Sequence, residues 1–209
     1  MQAWPGSALD APPVIAAMAH CAQDNGACAV RVQGAANIAA VIQQVHIPVI
    51  GLVKRSYEGF EPYITPTKQE VIAVVNAGAT IVAFDATSRP RPNGERLPDL
   101  LAAVHDSGAI SMADCAQFSD GVAASALGAD ILATTLASYT KETEGRPVPA
   151  LDLVEQLKTL GCFVVCEGGI KVPHQVTQAL RAGADCVVVG TAITNIDWLV
   201  QQFAAAVQE

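Results

Sequence analysis

"HIPVIGLVKRSYEGF", residues 46 to 60, decides how the chain is read. Within it, Val49-Ile50-Gly51-Leu52-Val53 has the near-continuous apolar character of a strand buried on both faces, as in a parallel sheet. No turn residue follows; Lys54 and Arg55 come at once. A strand made for a dry interior ends here in two cations, so its end faces something that needs charge.

Outward from this stretch the same kind of run recurs at 27–32, 80–84, 109–113, 130–136, 163–166 and 186–189. Helix-period segments lie between them, at 14–24, 35–45, 68–76, 97–107, 118–127, 150–160, 174–182 and 198–207. Gly26, Gly78, Gly108, Gly128, Gly161 and Gly183 stand where helices give way to strands, as C-caps do. Pro66, Pro98, Pro149 and Pro173 fall at or just before helix starts. Alternating strands and helices, with no low-complexity linker, predict one domain over 1–209 built of βα units around a parallel sheet.

Two features select a closed (β/α)8 barrel over an open sheet. No GxGxxG fingerprint opens a first βα turn, and polar residues gather at the C-terminal ends of the runs: Arg31, Lys54, Asp85, Asp114, Thr135, Glu167 and Gly190-Thr191. In a closed barrel those ends converge on one mouth. Only "MQAWPG" precedes the first helical segment, so the first strand is predicted to be short or missing.

Bulk composition narrows the function. The chain of 209 residues is 51% hydrophobic and carries a net charge of −8, against a nucleic-acid binder and for a local cationic cluster if the ligand is an anion. Six cysteines form no CxxC pair and four histidines are scattered, so no zinc spacing is present. No basic-then-apolar leader and no apolar run of spanning length are seen, which predicts a cytoplasmic protein with no membrane partner.

Lys54 at a mouth, partly desolvated and near other cations, has the makings of a neutral amine base; its plain alternative is a solvated strand end. Glu167, after four apolar residues in "FVVCEGGI", is costly to bury unless used or paired with Lys54 or an arginine. Gly168-Gly169 and Gly190-Thr191 form two glycine turns in the last positions, where phosphate sites of such barrels are built. Asp114 is either a helix N-cap or an acceptor for a sugar hydroxyl. Arg89 and Arg91 either grip an anion or belong to an acid-paired loop. His46, His105 and His174 read as surface residues.

"GLVKRSY", "YITPTKQEV", "FDATSRPRPNG", "ADC", "TTLASYT", "CEGGI" and "VVVGTAIT" occur in this order, and with them the chain resembles the N-acetylmannosamine-6-phosphate 2-epimerases of sialic acid catabolism. The resemblance implies a barrel enzyme, with no cofactor, that interconverts N-acetylmannosamine 6-phosphate and N-acetylglucosamine 6-phosphate, and a homodimer. By motif match Lys54 would be the catalytic lysine and Glu167 its partner. Gln2, Arg31 and Asp114 would contact the sugar, and Gly168, Gly169, Gly190 and Thr191 would hold its phosphate. The chain departs from the family pattern at Asn195, where an arginine is common, and at Ser138, where a glycine is common. A pentulose-phosphate epimerase, an indole-glycerol lyase type and a non-catalytic phosphosugar-binding barrel are the alternatives.

Overall fold

In the opening stretch, Gly51 shows how closely the layers approach. A Cβ there would lie 2.6 Å from both Ala79 and Val74 and 2.9 Å from Ile38, so only glycine lets the helices settle on this strand. The computed structural model describes residues 1–4 and 6–207. Among these, the strands are β1 (Val30–Gln33), β2 (Val49–Leu52), β3 (Ile81–Asp85), β4 (Ile110–Asp114), β5 (Ile131–Ala133), β6 (Phe163–Glu167) and β7 (Cys186–Val188). The helices are α1 (Pro12–Asp24), α2 (Ala35–Val41), α3 (Lys68–Asn76), α4 (Leu97–Asp106), α5 (Phe118–Ala126), α6 (Leu151–Lys158), α7 (Pro173–Arg181), α8 (Thr191–Thr194) and α9 (Ile196–Ala205).

All neighbouring strands pair in parallel and in sequence order, β1 through β7, which is the (β/α) barrel arrangement. Among the described residues closure is incomplete: the sheet begins at β1 and ends at β7 without a ladder between them. Met1 lies beside β1. Gln33 donates its N–H to the Met1 carbonyl at 3.3 Å, and the amino group of Met1 donates to the Arg31 carbonyl.

Alternation sorts side chains into two cores. Val32, Val49, Val82, Phe84, Ala113, Leu132, Val164 and Cys166 face the helices and pack with residues such as Ile15, Ile38, Val74, Leu100 and Leu153. Ile50, Leu52, Ile81, Ala83, Met112, Ile131, Ala133 and Val165 fill the lumen. The same two-residue step, continued along each strand, carries Lys54, Asp85, Asp114, Thr135 and Glu167 inward above that apolar layer. The site therefore tops the lumen's own ladder.

Several boundaries differ from the sequence reading. β5 stops at Ala133 rather than running to 136, because the chain turns there: the Ala137 N–H donates to the Thr134 carbonyl at 3.0 Å. α8 was not anticipated; four residues carry no helical period. At helix ends the glycine reading holds, with Gly78 and Gly183 at φ of 100° and 102°, conformations that cost other residues a steric penalty.

Candidate active site

β2 ends its apolar run and sends its two cations in different directions. Arg55 turns outward to Glu70, at 3.5 Å, and stacks over the Tyr57 ring. Lys54 pairs by its backbone with Ile64 and lines a partly open cavity of about 1080 Å³ that runs along the lumen from the strand starts at Pro48 and Ile110 to the mouth. It meets the solvent of that cavity, yet loses enough hydration there for burial, and then the nearby Arg31, to hold its ammonium below the ordinary lysine pKa.

At the centre stands Arg31. Its Nη1 donates to Asp114 Oδ1 at 2.9 Å and its Nη2 to Asp114 Oδ2 at 2.6 Å, a bidentate grip, while Nη1 also lies 2.9 Å from Glu167 Oε2. Burial works against its charge, but Asp114 and then Glu167 outweigh it and raise the guanidinium pKa. Asp114 is wholly buried behind Arg31 and does not line the cavity. It is neither a helix cap nor, in this arrangement, open to a sugar hydroxyl. Glu167 faces the cavity with its side chain 18% exposed, and burial pushes its carboxyl above the ordinary range. Arg31 opposes that rise and the Asp114 charge supports it.

Two residues at the end of β5 hold Glu167 from two sides. The Thr134 hydroxyl donates to the Glu167 carbonyl at 2.9 Å and accepts from the Glu167 N–H at 3.0 Å. The Thr135 hydroxyl lies 2.7 Å from Asp114 Oδ1 and 3.3 Å from Glu167 Oε2. Thr134 escaped the sequence reading altogether, and Thr135 was noticed only as a strand end. Adjacent on the chain and on opposite faces, they meet different parts of Glu167: Thr134 its backbone, and Thr135, carried inward by the strand alternation, its carboxyl group.

Gln2, Gly168, Gly169, Gly190 and Thr191 line the same cavity, with Tyr63, Tyr139 and Lys171. Gly168 and Gly169 hold φ of 103° and 73°, and a Cβ on Gly169 would meet Val148 at 2.5 Å. Two successive left-handed residues fold the chain back sharply and put this turn at the cavity wall. Asn195 caps α9, its side chain accepting from the Trp198 N–H at 2.9 Å.

The arginine loop after β3 resolves as acid-paired. Arg89 donates to Asp85 at 2.7 Å; Arg91 is buried and donates to the Asp85 and Thr87 carbonyls. Arg89 and Lys141 both reach Glu61, tying the hairpin after β2 to the loops after β3 and β5. His105 is not partnerless: its Nε2 lies 3.2 Å from Ser111 and 3.3 Å from Asp130. Among the described residues no helix is long and apolar enough to cross a membrane.

Comparison with known proteins accords with this geometry. The family model NanE, described as "Putative N-acetylmannosamine-6-phosphate epimerase", matches residues 15–209. A protein of Edwardsiella ictaluri (strain 93-146) that bears the name "Putative N-acetylmannosamine-6-phosphate 2-epimerase" is 43% identical over 207 residues, covering 99% of this chain and 87% of the relative. One of the same name from Escherichia coli (strain K12 / DH10B) is 42% identical over 208 residues, covering 100% of this chain and 90% of the relative. In three dimensions, the Clostridium perfringens N-acetylmannosamine-6-phosphate 2-epimerase superposes with a TM-score of 0.94 at 37% identity, covering 98% of this chain and 90% of that one. A match of this extent over nearly every residue places the chain in the N-acetylmannosamine-6-phosphate epimerase family.

Proposed function

We propose that the chain is an N-acylglucosamine-6-phosphate 2-epimerase, interconverting N-acetylmannosamine 6-phosphate and N-acetylglucosamine 6-phosphate in cytoplasmic sialic acid catabolism. The observation that carries this is the shared cavity: Lys54, Glu167 and both glycine turns line one space. Family membership favours this reading over a pentulose-phosphate epimerase or a binding-only barrel.

Inverting carbon 2 breaks a C–H bond of low acidity. Neutral Lys54 takes that proton. In the open-chain sugar, whose carbon 1 is an aldehyde, the electron pair forms a double bond to carbon 1, and the aldehyde oxygen gains negative charge. Glu167, in its acid form, donates a proton or hydrogen bond to that oxygen, and Arg31 adds its charge from behind. The intermediate then turns its other face to the Lys54 ammonium, which returns the proton to carbon 2, while the carbon 1 hydroxyl gives its proton back to Glu167 and the aldehyde re-forms. Gly168-Gly169 and Gly190-Thr191, with Lys171 beside them, hold the phosphate, so its binding energy orients carbon 2 against Lys54. Gln2 contacts the sugar from the Met1 side; Asp114 serves the sugar through Arg31. The whole chain acts as one catalytic domain and assembles as a homodimer.

A coupled assay on the two amino-sugar phosphates tests the reading, with exchange of the carbon-2 proton against solvent deuterium followed in parallel. The wild type should show both conversion and exchange. Lys54→Ala should lose both, by at least ~10²-fold. Full turnover in Lys54→Ala would remove the proposed base.

A further inference from the structure

Tyr63 stands in the cavity wall with a hydroxyl that the fold does not use. Its backbone is fixed next to the Lys54–Ile64 pairing: the Arg55 N–H donates to the Tyr63 carbonyl at 2.8 Å, and the Asp85 N–H donates to the Ile64 carbonyl at 2.9 Å. The half-buried ring packs on the lumen cluster that includes Leu52 and Ile64, and with them it lines the cavity. Among the described residues the Tyr63 hydroxyl has no hydrogen-bond partner in the protein, and it is not sealed from the cavity.

The carboxylates nearby are already served. Asp114 takes Arg31 at both oxygens and the Thr135 hydroxyl at one of them. Asp85 takes Arg89 at one oxygen, and the N–H and hydroxyl of Thr87 at the other. Burial first, then the charges of these two aspartates, keep the phenol protonated, with Arg31 opposing them. Tyr63 therefore brings to the cavity an O–H donor with nothing of the protein to bind.

The open-chain substrate of the proposed epimerase carries three acceptors that are not hydroxyls: its phosphate, its aldehyde oxygen and its acyl carbonyl. The phosphate meets the glycine turns, where Tyr139 also stands, 3.8 Å from a Cβ built on Gly168. The aldehyde oxygen meets Glu167 and Arg31. The acyl carbonyl is left, and its nitrogen hangs from carbon 2, the atom that Lys54 deprotonates. The acyl methyl needs an apolar seat, which Leu52 and Ile64 supply in the same wall.

We propose that Tyr63 binds the N-acyl group of the substrate, its hydroxyl donating to the acyl carbonyl, and so selects sugars that carry an acylamino group at carbon 2. This deepens the epimerase reading and rests on it. The bond belongs to the sugar as it binds, and is released when the intermediate turns its other face to Lys54.

Two open-chain sugar alcohols read this by titration calorimetry, since neither has an aldehyde to react. One is N-acetylglucosaminitol 6-phosphate; the other, 2-deoxyglucitol 6-phosphate, lacks the acylamino group. Tyr63→Phe removes only a hydroxyl without a protein partner, so the unfolding midpoint should stay where it is. Binding of the acylamino ligand should weaken about five- to thirtyfold, and that of the deoxy ligand by less than about twofold. Equal weakening of both, or of neither, overturns the proposal, because Tyr63 would then serve the phosphate, a hydroxyl or nothing; turnover by the wild type would leave the epimerase reading in place. A wild type that binds neither ligand and converts neither amino-sugar phosphate overturns both.

Discussion

Lys54 and Glu167 are displaced toward each other on the pH scale, and the direction matters for rate. The lysine lies below its ordinary 10.5 and the glutamate above its ordinary 4.5. The reacting pair needs the neutral amine and the protonated acid, which is the minor arrangement whenever the acid is the stronger of the two. Each pH unit by which the gap narrows raises that population tenfold. The expected kcat/KM profile is therefore a bell with its acid limb above pH 4.5 and its alkaline limb below pH 10.5. Glu167→Gln should abolish the alkaline fall and extend the acid rise up to the Lys54 pKa, since only the neutral amine is then required; a variant that keeps the bell would assign the acid elsewhere. Arg31 and Asp114 are a separate matter of stability. Asp114 is wholly buried and the Arg31 side chain nearly so, hence Asp114→Asn leaves a guanidinium with only Glu167 to answer it. A loss of about 3 kcal/mol in urea unfolding is expected, the lower end for a broken buried pair since Glu167 remains.

At the level of strands and loops, the alternation that fills the lumen also delivers the site, which is why so much was legible beforehand. "VIGLVK" and "FVVCE" announce by their apolar runs both a strand and the polar residue at its end. What composition and period cannot carry is direction through a turn. Arg55 follows Lys54 yet leaves the cavity, and Asp114 ends its strand yet hides behind Arg31. Arg89 and Arg91 looked equally able to grip a ligand until Asp85 was seen to occupy them. Asn195, a family departure by sequence, is employed as a helix cap. Ser138 is the departure with a measurable cost. It holds φ of 73°, the left-handed region that glycine enters freely and a residue with a Cβ does not. Ser138→Gly should accordingly raise stability by about 1 kcal/mol in chemical denaturation, without altering KM. A variant less stable than the wild type would mean that the serine side chain contributes more to this loop than its backbone strain costs.

Among the described residues, the outer face of α9 is an apolar surface without a layer to cover it. Ile196, Val200 and Phe203 recur at spacings of four and three along α9, and none of them is buried; Phe203 is 76% exposed. α9 contributes no buried residue to either core. A stripe of this kind on a water-facing helix is the mark of an interaction surface rather than of a finished exterior. In the proposed homodimer α9 of one protomer would lie against its symmetry mate, so that a twofold contact uses each side chain twice. A charge placed on that stripe at its most exposed residue should then act doubly. With about 2 kcal/mol lost per copy, Phe203→Glu should raise the dimer dissociation constant roughly a thousandfold. Sedimentation velocity across a concentration series reads this directly, the wild type as a dimer and the variant as a monomer at the same loading. Because the cavity is lined from within one chain, the monomeric variant should keep the Lys54–Glu167 pH profile; a dimer that survives Phe203→Glu intact would move the subunit contact away from α9.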